Sequence, residues 1–600
     1  MIKLSDFVFK FITKEKVGHV FLLSGGGCMH LVDSLGRNRD LEYIACQHEQ
    51  AASIAADAYA QYTNNLGVAL VTTGPGSTNA ITGVAAAWVE SIPLLIISGQ
   101  VKRSDIAGPN GPRVLGFQEI NTISLIKSIT KYAITIMEPN EIRYHLEKAI
   151  YLAKSGRPGP VWIDIPLDVQ ATKINENKLK KFIPPTDNKT EKKEIIRQVE
   201  KTIKLINRSE RPVIIAGYGI KIDKAENNFL RLVEKLKIPV LTTWKAIDLM
   251  PDTHKFFFGR PGAIGQRGAN FIQQNADLLI SIGARLDFGQ IGYSYQNFAR
   301  GAKKVIIDID KAELKKFKFD AYLPICARAE EFIKEMTKQI GKIKNNDFAP
   351  WLKKSREWKN KYPVVLAEYY KKKDYVSTYS LVNELAAQLT NKDLIVLGSS
   401  GACSDITMQA FKVKKGERII NMPGFGAMGF GLPSTVGACL ASGKKRTICI
   451  NGDGGFQLNI QELATVNYLN LPIKYFILNN KGYGSIRTTQ RNYFSGFYVA
   501  SGPESGVDLP DYTKVAQAYG IKSMKIIKQA GLENKIYKVL KMTGPVICEV
   551  MIDPNEPTSP KLTSQVKKDG SIISKPMEDL WPFLDRDEFI NNMIVKPLDE

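Results

Sequence analysis

The chain predicts an α/β protein of three doubly wound parallel-sheet domains. Three observations carry that expectation. Six hundred residues exceed what one core organises, at roughly 100–200 residues per domain. Short Val-, Ile- and Leu-rich runs, the make-up of strands buried on both faces, recur along the whole length and alternate with helical stretches. Several of these runs end in glycine, where a strand-to-helix turn belongs.

The opening MIKLSDFVFKFITKEKVGHV alternates apolar and charged residues and reads as an amphipathic helix, without the apolar stretch and cleavage site of a signal peptide. GVALVTTG and IPLLIISGQ read as strands, NAITGVAAAWVES as the helix between them, and PVWIDIPLD closes a first unit over 1–175. A lysine-rich linker with two prolines follows at Lys178–Lys193 (KLKKFIPPTDNKTEKK). PVIIAG, KIPVLTTW, ADLLISIG and KKVIIDID are the strands of a second unit, 190–340. The charged helix WLKKSREWKNKYP leads into a third, 365–555, with DLIVLG, RTICINGDG, IKYFILNN and PVICEVMID as strands. Residues 556–600 are polar and short of core material, and read as an extension wrapping over the body. VAAAWVESIPLLIISGQ and ATVNYLNLPIKYFILNN share a layout of helix, proline turn and strand, so the first and third units are expected to echo each other.

Composition narrows the function. The net charge is +22, but the lysines are spread out and no RNP-type motif or aromatic–basic alternation accompanies them, so no nucleic-acid partner is expected. The charge fits an anionic substrate, or simply a lysine-rich composition. No apolar run approaches the roughly 18 residues of a membrane span, so no membrane partner is expected. Seven cysteines without a CxxC pair suit reduced thiols and a cytoplasmic location, and five scattered histidines argue against a zinc site.

The densest chemistry is INGDGGFQLNIQELATVNYLNLPIKYFILNNKGYG, Ile450 to Gly484. A buried strand ends at Gly452-Asp453-Gly454-Gly455, and a helix expected over Asn459–Leu469 offers free N–H groups and a positive dipole end to a diphosphate. Mg²⁺ usually accompanies a diphosphate and takes about six oxygens. The Asp453 carboxylate, the Asn480 carboxamide and the Gly482 carbonyl are the candidate protein ligands. The plain alternative is a tight strand–helix turn.

GDG followed by paired asparagines resembles the thiamine diphosphate (ThDP) fingerprint. SGGG at Ser24–Gly27, CQHEQAASIAADAYA at Cys46–Ala60, TTGPGSTNAITGVAAAWVESIPLLIISGQV at Thr72–Val101, FQE at Phe117–Glu119, SITKY at Ser128–Tyr132, GRPGPVWIDIPLDV at Gly156–Val169 and PGFGAMGFGLPSTVGA at Pro423–Ala438 extend the likeness to residue 555 or so. Together they resemble the acetolactate synthase-like (acetohydroxyacid synthase) family.

The resemblance implies a pyrimidine-binding, a central Rossmann-like and a diphosphate-binding domain, with ThDP and Mg²⁺ as cofactors. It makes Glu49 the acid at pyrimidine N1′ and Gly26 a backbone donor to the reacting carbonyl. Met428 becomes the wedge that bends the coenzyme, with Gly426 beside it at the pyrimidine edge. Gly452, Asp453, Gly454, Gly455, Asn480, Gly482 and Tyr483 fall at the diphosphate and metal. His30, Phe117, Gln118, Lys131, Arg487 and Thr489 fall on the substrate side. The family's site spans two subunits, so self-association as a homodimer or tetramer is implied.

Three departures accompany the likeness. Thr489 stands where the family has a tryptophan, and Ser485 where it has a methionine, giving a wider and more polar pocket. GARLDFGQIGYSYQ and GRPGAIGQRGAN replace flavin-contacting stretches, and VIIAGYGIK lacks the full GxGxxG, which leaves FAD open. The tail SKPMEDLWPFLDRDEFINNMIVKPLDE resembles tails of relatives in polysaccharide and unusual-sugar biosynthesis. The expectation is a carboligase that decarboxylates a 2-keto acid, pyruvate, and transfers the acyl carbanion to an acceptor carbonyl such as a nucleotide-linked ketosugar. The alternatives are acetolactate synthase, condensing two pyruvates, and a 2-keto acid decarboxylase.

Overall fold

The computed structural model describes residues 1–108, 111–185, 189–319, 322–344, 346–398, 400–566 and 572–598. Residues 186–188 of the expected linker and 567–571 of the tail lie outside the described residues.

The first sheet contains β1 (His19–Leu22), β2 (Glu42–Ala45), β3 (Gly67–Val71), β4 (Leu94–Gln100), β5 (Tyr132–Thr135) and β6 (Val161–Pro166). All neighbours are parallel, in the order β2-β1-β3-β4-β6-β5. The second sheet holds β7 (Pro212–Ala216), β8 (Val240–Thr242), β9 (Leu278–Ile282), β10 (Lys303–Asp308) and β11 (Tyr322–Cys326), in the parallel order β8-β7-β9-β10-β11. The third holds β12 (Leu394–Leu397), β13 (Arg418–Ile420), β14 (Thr447–Gly452), β15 (Ile473–Asn479), β16 (Lys522–Ile526) and β17 (Val546–Met551). Its order is β13-β12-β14-β15-β17-β16, again parallel, so the first and third sheets have the same topology. The two stretches whose layout matched, β4 and β15, occupy the same place in their sheets.

The strands that the sequence does not announce lie at sheet edges: β2, β5, β11, β13 and β16. An edge strand is half solvated and loses its continuous apolar run; Glu42, Tyr43 and Ala45 of β2 are exposed. β11 carries Pro324, which an edge tolerates.

Helix α1 (Glu49–Thr63) joins the first unit to the third by packing on α3 (Gly431–Ala441), the helix that follows α2 (Ala402–Ala410) in the third unit. The contact is backbone to backbone. A Cβ at Gly437 would lie 1.9 Å from the Ala55 carbonyl oxygen, and α1 buries Ala51, Ala52, Ala55, Ala56, Ala58 and Ala60. Its alanine run is thus an interface device.

The helix expected over Asn459–Leu469 is present, as a 3-10 turn at Ile460–Glu462 that runs into an α-helix, and a further short helix precedes it. The preceding helix starts on Asp453 itself (Asp453–Gln457), and the α-helix covers Leu463–Tyr468. Asn459 separates them at φ 71°, a left-handed conformation that asparagine tolerates, and its Nδ2 donates to the Gly429 carbonyl and to Gln50 Oε1.

The tail packs on the central unit, against the helices Arg267–Asn275 and Ala349–Lys361. Phe589 enters a core with Phe271, Trp351 and Trp358. Trp358 Nε1 donates to Asn592 Oδ1 at 2.7 Å, and Glu578 pairs with Arg300 at 2.6 Å.

Candidate coenzyme site

A cleft of about 450 Å³ opens at the carboxyl ends of β12 and β14. That is where the strand order of the third sheet reverses, the place where an open α/β sheet leaves a crevice. Gly426, Met428, Gly452, Asp453, Gly454, Gly455, Asn480, Gly482, Tyr483 and Thr489 all line it.

Asp453 is 2 % exposed. Its Oδ2 accepts the backbone N–H groups of Asn480 and Gly482, each at 3.1 Å, and Oδ1 accepts that of Gly454 at 2.8 Å. Burial pushes its carboxyl up to about 6, against the pull of those backbone donors. Tyr512 steadies the turn by donating to the Asp453 carbonyl at 2.6 Å. Asn480 Oδ1 is buried and has no partner among the described residues. An unmet buried acceptor costs about 1–3 kcal/mol, so this oxygen calls for a donor or a cation.

Backbone geometry shapes the floor. Gly482 sits at φ +138°, and a Cβ there would lie 2.3 Å from the Ser501 carbonyl oxygen. A Cβ at Gly454 would lie 2.4 Å from the Tyr483 ring. The oxygen set fits a hard divalent cation such as Mg²⁺. Among the described residues no group of three or more His, Cys, Asp or Glu could hold a metal. An ion here would therefore share its shell with oxygens from a ligand.

Glu49 stands elsewhere, at the first turn of α1. It is 6 % exposed; Oε2 accepts from Asn79 Nδ2 at 3.0 Å, and Oε1 lies against Gly76. His48 caps the helix, its Nδ1 accepting from Gln50 N. Gly25, Gly26 and Gly27 follow β1 and face the end of β3. Gly27 N donates to Thr72 Oγ1, and a Cβ at Gly25 would lie 2.5 Å from Thr72 Cβ, whereas one at Gly26 would meet nothing within 4 Å. Gln118 closes on the same crevice, its carbonyl oxygen 2.2 Å from where a Cβ on Gly74 would sit. So Glu49, the glycine loop and Gln118 gather at the switch point of the first sheet, and none of them lines the cleft of the third.

The remaining substrate-side candidates are dispersed. Phe117 is 85 % exposed. Lys131 Nζ donates to the carbonyls of Ser155 and Arg157 at 2.5 and 2.7 Å. His30 lies on the helix Met29–Arg37, its carbonyl accepting from Lys3 Nζ. Arg487, on α4 (Gly484–Tyr493), borders the cleft by donating to the Asn480 carbonyl at 3.3 Å, and pairs with Glu504 at 3.5 Å.

Residues 2–125 match the thiamine pyrophosphate enzyme N-terminal TPP binding domain, 199–336 the central domain and 399–550 the C-terminal TPP binding domain of the same enzymes. The chain belongs to the ThDP-dependent acetolactate synthase-like family. The acetolactate synthase large subunit of Lactococcus lactis subsp. lactis (strain IL1403) is 32% identical over 573 residues, 95% of this chain and 96% of the relative. The probable acetolactate synthase large subunit of Methanocaldococcus jannaschii is 33% identical over 597 residues, 96% and 97% of the two chains. That of Cyanidium caldarium is 31% identical over 560 residues, 92% and 93%.

Within this ThDP-enzyme frame, several residues at the two crevices escape sequence reasoning. Gly401, Cys403 and Asp405 line the cleft because β12 lies beside β14 and ends at the same edge. The run DLIVLG before them was the available signal. Thr558 and Lys561 reach the cleft from the tail, which no local pattern foretells. Glu462, 1 % exposed, accepts from Gln47 N at 2.8 Å and from the Thr465 hydroxyl at 3.1 Å, tying the turn before α1 to the third unit. Burial pushes its carboxyl up to about 7.

A second cavity of about 460 Å³ lies at the switch point between β7 and β9, lined by Gly219, Gly283, Arg285 and Asp308 together with Glu90 and Arg157. Its cations are already paired: Arg285 with Asp287 at 2.6 Å, Arg157 with Glu313 at 2.6 Å, and Lys245 with Glu90 at 3.8 Å. Among the described residues no buried side-chain polar atom of that lining is left without a partner.

Proposed function

We propose that this protein is a ThDP- and Mg²⁺-dependent carboligase of the acetolactate synthase type, which decarboxylates a 2-keto acid, pyruvate, and joins the acyl unit to the carbonyl of a second 2-keto acid. One observation carries the reading: a buried carboxylate, Asp453, beside an unsatisfied buried carboxamide oxygen, Asn480 Oδ1, on the floor of a switch-point cleft. The names of the relatives support the keto-acid acceptor. They lend no support to the ketosugar acceptor, which rests on Thr489 and Ser485, the likeness of the tail and the basic charge.

Asp453, Asn480 and the Gly482 carbonyl would hold Mg²⁺, and Met428 and Gly426 would meet the pyrimidine. Glu49 would hold the proton at pyrimidine N1′. The Gly26 N–H would donate to the carbonyl oxygen as charge builds on it. When bound, ThDP supplies the decarboxylation and acyl-transfer chemistry. Glu49 does not line its own chain's cleft, which supports a homodimer, or a tetramer of two such pairs, in which Glu49 of one chain faces the cleft of another. None of the seven cysteines is in a disulfide, which supports a cytoplasmic location, and among the described residues no helix is long and apolar enough to cross a membrane.

Incubation with pyruvate, ThDP and Mg²⁺ tests the reading. Acetolactate supports it, free acetaldehyde as sole product indicates a decarboxylase, and no release of CO₂ sinks both. A flavin absorbance in the purified protein would add FAD to the cofactors, with the cavity between β7 and β9 as its candidate site.

A further inference from the structure

The tail delivers one cation to the cleft and pins it there. Tyr379 OH donates to the Ser559 carbonyl at 2.9 Å and accepts from Ser559 N at 2.6 Å, and Gln409 Nε2 donates to the Pro560 carbonyl at 2.6 Å. Lys561 N donates to the Trp581 carbonyl at 2.9 Å, and Trp581 N returns the bond at 2.8 Å. The backbone is therefore fixed on both sides of Lys561, while its side chain lines the cleft, half buried.

The ammonium itself makes no hydrogen bond or ion pair among the described residues. Other inward lysines behave differently. Lys359 donates to the carbonyls of Asp252 and Phe257, Lys474 to that of Met542, and Lys221 pairs with Asp248. Withdrawing an ammonium from water costs free energy unless a partner is supplied. A lysine that only secured the tail would have one. Two charged groups act on Lys561 through space, Arg491 and Asp405 on α2; among the described residues Asp405 forms no ion pair with it and has no side-chain hydrogen bond. Burial pushes the Asp405 carboxyl up to about 7, so near neutral pH it cancels only part of the lysine's charge.

We infer that Lys561 anchors an anion subsite in this cleft, one that takes a phosphate or carboxylate oxygen of a bound ligand. The site stands on the geometry of the tail; the identity of its ligand rests on the proposed function. Two sources share this chemistry, the diphosphate of the coenzyme and the carboxylate of the 2-keto acid.

The test compares the full-length protein with Lys561→Met and Lys561→Arg. Calorimetry measures the Kd for inorganic diphosphate with Mg²⁺ in the absence of ThDP, then the Kd for ThDP, and kinetics measure the KM for pyruvate. Loss of the cation weakens at least one of these by about tenfold, and Lys561→Arg restores most of it. Weaker diphosphate and ThDP binding identifies the coenzyme as the source; a raised KM alone identifies the substrate carboxylate. All three within about twofold of the wild type overturn the inference while leaving the ThDP reading intact. Should the wild type fail to bind ThDP, the functional reading falls, and calorimetry with diphosphate and with pyruvate still decides the subsite. If Lys561→Met disturbs the tail, shown by a lowered Tm without ligand, Asp405→Asn at pH 8 decides. It leaves the tail untouched and tightens the same ligand by about twofold or more; unchanged or weaker binding overturns the inference.

Discussion

The first and third sheets have one strand order, and their switch points are armed in opposite ways. Between β1 and β3 the walls are glycine and threonine, and the Glu49 carboxylate already accepts a hydrogen bond from Asn79. Between β12 and β14 the carboxylate is buried on three backbone donors, and a neighbouring carboxamide oxygen has no partner among the described residues. The glycines differ as well: Gly26 faces open space, whereas the space over Gly454 is filled by Tyr483. Topology supplies both crevices. A handful of side chains decides that the carboxylate of one crevice meets a donor from its own chain, while a buried acceptor of the other meets none among the described residues.

The largest effect should come from the satisfied crevice. Glu49→Gln keeps the size and an acceptor for Asn79, and removes only the ionisable proton. We expect kcat to fall by about 10²–10⁴ with ThDP affinity unchanged, read by steady-state kinetics and calorimetry on one preparation. A parallel loss of affinity would move Glu49 from activating the coenzyme to binding it, and the contrast between the two crevices would dissolve.

In the unsatisfied crevice the expected loss is of binding. ThDP with Mg²⁺ at about 100 times its Kd should stabilise the wild type by about 2.7 kcal/mol. Asp453→Asn, or chelation of the metal, should abolish that gain in a thermal melt. The gain persisting in the variant would remove the metal from the account.

The glycines sharpen the comparison through stability. Gly454→Ala drives a methyl into the Tyr483 ring and should cost about 1–3 kcal/mol, as overpacking does. Gly26→Ala meets nothing and should change the unliganded stability by no more than about 0.5 kcal/mol. Its penalty should appear in turnover, because the methyl occupies the space where the reacting carbonyl is proposed to sit. Equal melting penalties for the two would contradict the geometry.

How much of this was legible depends on the kind of signal. Inner strands such as β3, β4, β14 and β15 announce themselves because both faces are buried, and the turn at Asp453 is bracketed by glycines, of which Gly454 leaves room for the Tyr483 ring. Edge strands such as β2 and β16 were missed because solvent interrupts their apolar pattern. The helix expected after Asn459 is there, but the short helix on Asp453 before it is not legible, because the left-handed turn at Asn459 that divides the two is held by bonds to Gly429 and Gln50, far off in sequence. Lys561 was missed for the same reason: its place is fixed by Tyr379, Gln409 and Trp581. Lys131 illustrates the converse, a motif residue whose donors serve local carbonyls.

The two crevices are also tied together, through Glu462. It sits in the third unit, just beyond the cleft floor, and holds the Gln47 N–H two residues before Glu49. Burial raises its carboxyl from 4.5 to about 7. Unfolded, the group loses its proton near the ordinary value; folded, it keeps the proton to higher pH. The folded state therefore binds more protons between those limits, and stability must fall as pH rises. The contribution is complete below 4.5 and lost as pH passes through about 7. Glu462→Gln is neutral throughout and still accepts from Gln47, so the turn should survive. The fall in Tm of the unliganded protein between pH 5 and 8 should shrink by about 1 °C, the smallest effect foreseen. A variant melting curve with the wild-type pH slope would mean that Glu462 is already ionised in its pocket, and the link between the crevices would then be an ordinary charged hydrogen bond.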